Sequence, residues 1–86
     1  MEFKIEIPAY DPTSGFQYKW EDGFEISTKI EKGEIVITAN REGLISLANH
    51  LLNLAQEAVP SAYHLHLDEH NSLKEGSSPL ILLKNC

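Results

Sequence analysis

The chain has 86 residues, 42% of them hydrophobic and 23% charged, with a formal net charge of −6. A chain so short supports one modest hydrophobic core, and this composition excludes global disorder. Its few Lys and Arg are not clustered, which argues against nucleic acid and anionic membranes as partners, since both need a basic patch.

Residues 2–7, EFKIEI, alternate strictly. Phe3, Ile5 and Ile7 take one side, which predicts a half-buried strand ended by Pro8. A turn-rich loop, AYDPTSG, follows. FQYKW at 16–20 alternates again, with Phe16, Tyr18 and Trp20 on one side. After the Asp22-Gly23 turn pair, FEISTKI at 24–30 places Phe24, Ile26 and Ile30 on one face. The two runs read as a hairpin; the 16–20 arm reads equally as an aromatic-rich loop folded over the edge of the core. Lys32-Gly33 makes the next tight turn. EIVITA at 34–39 then forms a β-branched strand with Ile35 and Ile37 facing inward.

A meander of this kind has an apolar face that must be covered. Asn40 is a good helix N-cap, and Glu42 suits the positive end of the helix dipole. Leu44, Leu47, Ala48, Leu51, Ala55 and Ala58 then recur at helical spacing, widened by Ile45, Leu52, Leu54 and Val59. Ser46, Asn49, His50, Asn53, Gln56 and Glu57 fill the other side. The spacing predicts a helix over about residues 41–58, its leucines inward and Pro60 beyond its end. On that reading Leu51→Ala costs about 2–5 kcal/mol.

AYHLHL at 62–67 returns as a strand, with Tyr63, Leu65 and Leu67 on one face and His64 and His66 on the other. A polar segment, 68–78, leads to PLILLK at 79–84. That run is apolar on both faces, which favours a central strand. The expected fold is α+β: a mainly antiparallel five- or six-stranded sheet with one long amphipathic helix packed on one face. The expected organisation is a single domain over 1–86, with a β-meander at 1–39, the helix at 40–59 and two C-terminal strands at 62–86.

HLHLDEH, residues 64–70, concentrates three of the four histidines beside two carboxylates. Period-two geometry sets His64, His66 and Asp68 on one face, about 6.5–7 Å apart, and His-x-His pairs can share a zinc or copper ion. The string approaches the HxHxDH signature of metallo-β-lactamases, but Glu69 stands where the next histidine belongs, and no histidine follows His70. The plainer reading is a partly exposed sheet face open to a protein partner or a subunit contact. No nucleophile elbow or phosphate-cradling glycine loop is present. A Ser72, His66, Asp68 triad rests on sequence proximity alone. Cys86 is the one cysteine, so an intrachain disulfide and zinc-ribbon spacing are both excluded. With no secretory signal at MEFKIEIP and no apolar run near 18 residues, a reducing cytoplasm is the expected compartment.

The run EGLISLANHLLNLAQEAVP, followed by YHLHLDEHNSLKEGSSPLILLK, resembles immunity protein family thirty-two of bacterial polymorphic toxin systems. The resemblance covers about residues 40–84. Its most specific pieces are Gly43-Leu44 with Leu47-Ala48, His64-x-His66-Leu67-Asp68, and Leu73 with Gly76-Ser77. Trp20 and Asp22-Gly23 match more weakly, and Pro79 departs from the pattern at the start of the last strand. The resemblance implies a cytoplasmic, non-catalytic antidote that binds and blocks a cognate toxin domain and needs no cofactor. An acidic surface suits a basic toxin such as a nuclease. The candidate partner-binding residues are Trp20, His64, His66, Asp68, Glu69 and Glu75: carboxylates to pair with Lys or Arg, and an aromatic or histidine anchor for the desolvated centre. The rival readings are a small metal-binding protein centred on His64, His66 and Asp68, and a module that dimerises through its sheet.

Overall fold

The computed structural model describes residues 1–85. The elements in chain order are β1 (Ile26–Glu31), β2 (Glu34–Ala39), α1 (Arg41–Leu54), β3 (His64–Leu67) and β4 (Leu80–Leu83). β1 and β2 pair antiparallel, as do β3 and β4. The chain is therefore α+β, but its described residues form two separate two-stranded sheets and one helix, not a five- or six-stranded sheet. No helix among the described residues is long and apolar enough to cross a membrane.

The β1–β2 hairpin turns at Lys32 and Gly33, both with positive φ. That is the two-residue geometry whose twist matches the flanking strands. Its register sets Ile26 opposite Ala39 and Ile30 opposite Ile35. Ile26 is fully buried at the helix end of this face, but Ile30 and Ile35 are 69% and 74% exposed towards the tip, and Ile37 is 43% exposed. The inward placement of Ile35 and Ile37 is thus overturned, because no described residue covers them on the outer half of the hairpin.

EFKIEI and FQYKW form no strands. Alternation separates two faces, but a strand also needs a partner edge, and side chains of α1 and of Gln56 just past it bond these backbone groups instead. The carbonyls of Glu6, Pro8 and Gln17 accept from the side-chain amides of Asn49 (2.9 Å), Gln56 (2.9 Å) and Asn53 (2.8 Å). The Tyr10 and Glu21 amides donate to Gln56 Oε1 and Ser46 Oγ. Along this irregular run Phe16 meets Tyr18 edge to face and stacks on Tyr63, while Trp20 stacks on both Tyr18 and Phe24. The aromatic-loop reading of 16–20 is the one the structure adopts.

These bonds turn α1 over. Its buried residues are Gly43, Ser46, Asn49, His50, Asn53 and Leu54, while Leu44, Leu51 and Leu52 each expose more than half of their surface. The buried face lies about a third of a turn round the axis from the leucine stripe. Gly43 fixes this orientation: a Cβ there would stand 2.5 Å from the Glu25 carbonyl and 2.9 Å from Ile26 Cγ1, so only glycine lets the first turn sit on β1. Asn40 caps that turn as expected, accepting from the Gly43 amide at 2.8 Å, and also accepts from Glu25 and donates to Gly23. The helix ends at Leu54, short of 58, and Lys84 donates to the Gln56 and Val59 carbonyls just beyond it.

The last segment serves both sheets. The Lys74 and Ser78 amides donate to the Ile26 and Thr28 carbonyls along the free edge of β1. The Thr28 amide donates to Ser77 Oγ, and its hydroxyl to the Ser78 carbonyl. Past Pro79 the same segment pairs with β3 as β4. The core, Ile26, Leu67 and Leu73 with Trp20, Phe24, Leu47, Leu80 and Leu82 around them, lies where the two sheets meet.

Candidate partner-binding surface

β3 buries Leu65 and Leu67 and exposes His64 and His66. The alternation follows from the pleat. Cross-strand register sets His64 opposite Leu83 and His66 opposite Ile81, and directly opposed residues share a face. Ile81 and Leu83 are both largely exposed. The outer face of β3–β4 is therefore a patch of two imidazoles and two aliphatic side chains. β4 is apolar on both sides, as the sequence says, but it pairs only with β3 and leaves one side uncovered.

The imidazole rings of His64 and His66 meet edge to face, 4.8 Å apart. His66 also borders a cleft of about 210 Å³ lined by Tyr18, Trp20, Leu67 and Asn71. Trp20 and Tyr18 lie parallel, with centroids 6.2 Å apart, and partial burial, then the nearby Tyr63, raises the Tyr18 hydroxyl pKa above its usual value. Behind them, fully buried, is His50. Its ring packs edge-on to Trp20 at 4.3 Å and to Tyr18 at 5.4 Å. Neither ring nitrogen has a hydrogen-bond partner among the described residues. Burial lowers its pKa to about 4, so the ring is neutral at pH 7.

The structure thus joins three of the six expected contact residues, Trp20, His64 and His66, on one connected surface. The carboxylates have local work. Asp68 Oδ1 accepts from the His70 amide, and its carbonyl takes the amides of Asn71, Ser72 and Leu73. Glu69 Oε2 accepts from the Gly76 amide at 2.7 Å, bracing the loop. Glu75 lies apart, beside a second cleft between β1 and Gly76-Ser77. Tyr18 and Asn71 were not singled out from the sequence. Tyr18 shared the alternation of Trp20 and could have been. Asn71 sits in a turn and carries no signal of its own. No group of three or more His, Cys, Asp or Glu side chains among the described residues is placed to hold a metal ion.

An apolar–imidazole sheet face thus lies beside an aromatic cleft. A family model described as Immunity protein 32 matches residues 34–85. That is more than half of the chain, which therefore belongs to this family of immunity proteins, as its helix start and β3 imply. The match takes in β2, α1, β3 and β4 but leaves out Tyr18 and Trp20. No curated protein and no solved structure matches the chain.

Proposed function

We propose that this protein protects its cell by binding a cognate toxin domain and covering it, without catalysis. The contact is the outer face of β3–β4 together with the Tyr18–Trp20 cleft. The observation that carries this reading is the continuity of the surface: His66 belongs both to the exposed sheet face and to the aromatic cleft. Trp20 and Tyr18 supply the large, rigid anchors that dominate protein interfaces. His64, His66, Ile81 and Leu83 supply flat area around them. The net charge of −6 steers the approach of a basic toxin and speeds association at low salt. Asp68 and Glu69 contribute through that field and by holding the loop after β3. A toxin that acts in the cytoplasm requires the antidote there.

The test is co-expression with a toxin domain whose gene adjoins that of this protein, once that neighbour is sequenced. Growth should be rescued by the wild-type chain. Ile81→Glu and His66→Ala should each weaken binding at least tenfold with an unchanged melting temperature, since both side chains are exposed. Full binding by the Ile81→Glu, His66→Ala double variant would remove this face from the contact. Failure of the wild-type chain to bind or protect would overturn the reading itself.

A further inference from the structure

We infer that the outward leucine stripe of α1 is a second interaction surface, through which two copies of this chain pair about a two-fold axis. From Gly43 to Gln56 the sequence carries no Lys, Arg, Asp or Glu. A helix with one face against water normally lines that face with charge. Here the inner face holds amides and a histidine, and the outer face holds Leu44, Leu51 and Leu52, with the small Ala48 and Ala55 between them. Past its first turn, an apolar outer face without charge is a surface that a partner can cover.

Charge selects the occupant. Each copy carries −6, which opposes self-association in general, so two copies pair only through the face that adds no charge of its own. A partner drawn by charge is attracted to the acidic surface and finds nothing to pair with on this stripe. The pattern is also self-complementary. In an antiparallel pair with the axis near Ala48, Leu44 of one copy meets Leu51 and Leu52 of the other, and Ala48 lets the helix axes close to about 8–10 Å. Arg41, exposed at the N-terminal end, then lies opposite Ala55 of the second helix, with Glu57 in the turn just past that helix end within reach of its side chain. Neither Arg41 nor Glu57 has a salt-bridge partner within the chain among the described residues. The area sets the strength. A helix of 14 residues is about 21 Å long and covers less than the roughly 800 Å² per partner of a standard stable interface. The dimer is therefore reversible, with a dissociation constant of about 10–100 µM.

Sedimentation velocity of the full chain under reducing conditions, from about 5 to 500 µM to span that range, tests this. A reversible monomer–dimer equilibrium is expected. Ala48→Glu and Leu51→Lys should each raise the dissociation constant at least tenfold, with a native circular dichroism spectrum. Arg41→Glu should weaken pairing, and adding Glu57→Arg should restore it. Ile81→Glu, on the β3–β4 face, should leave pairing unchanged. A chain that stays monomeric throughout, or a dimer indifferent to both helix variants, overturns the proposal. So does a monomer whose toxin binding is lost in Ala48→Glu, because the stripe would then belong to the toxin. A monomer that still protects through β3–β4 overturns the dimer and leaves the immunity reading intact.

Discussion

The two sides of α1 invert the usual arrangement. The side turned to the protein carries Ser46, Asn49, His50 and Asn53, and the side turned to water carries Leu44, Leu51 and Leu52. Hydropathy alone ranks these faces the wrong way. What sorts them is the job each must do. The inner face receives a run of backbone without a sheet of its own, and unpaired buried peptide groups are expensive. Amide side chains meet that need; leucines cannot. A polar face of hydroxyl, amides and imidazole, with no full charge, is a different signal from a face of Lys and Glu.

The inversion can be broken most sharply by pairing identical substitutions on the two sides. Leu54 is buried at the inner face, so Leu54→Ala should cost about 2–5 kcal/mol in chemical denaturation. Loss of under about 1 kcal/mol would place Leu54 outside the core. His50 gives the next effect, through pH. Its folded pKa is lowered to about 4 from 6.5 by burial. The unfolded chain therefore takes up the proton first, and the stability it contributes is present above pH 6.5 and lost as pH falls towards 4. The loss amounts to about 3 kcal/mol over that window. His50→Leu should flatten this part of the stability–pH curve, and an unchanged curve would show that His50 does not titrate there.

Gly43 probes the seat of the helix. Gly43→Ala should destabilise by about 1–3 kcal/mol through the clash with the Glu25 carbonyl, against a gain of up to about 1 kcal/mol in helix propensity. A net gain in melting temperature would mean that the first turn can lift off β1. The smallest effect belongs to the outer face. Leu51→Ala, measured well below the dimerisation range, should cost no more than about 1 kcal/mol, as for a half-exposed side chain. That replaces the 2–5 kcal/mol which an inward leucine stripe predicts.

Much that is local was legible. The Asn40 cap, the Lys32-Gly33 turn and the in–out alternation of Leu65 and Leu67 with His64 and His66 follow from rules that act over a few residues. The helix start and β3 also carried the family resemblance. What was hidden is non-local. EFKIEI has the period of a strand, but no rule of period says that a neighbouring edge will be free to pair with it. Trp20 and His66 are far apart in sequence, and only the path of the 16–20 loop over the core brings them to one cleft. The orientation of α1 had a readable signal in Gly43 and in the missing charges, which the count of leucines outweighed.

The stretch from Lys74 to Leu83 is hydrogen-bonded first to β1 and then to β3. Each hairpin on its own is a two-stranded ribbon, a unit that is marginal in water. One thread ties them together: a cut between Gly76 and Pro79 would sever the link from one ribbon to the other.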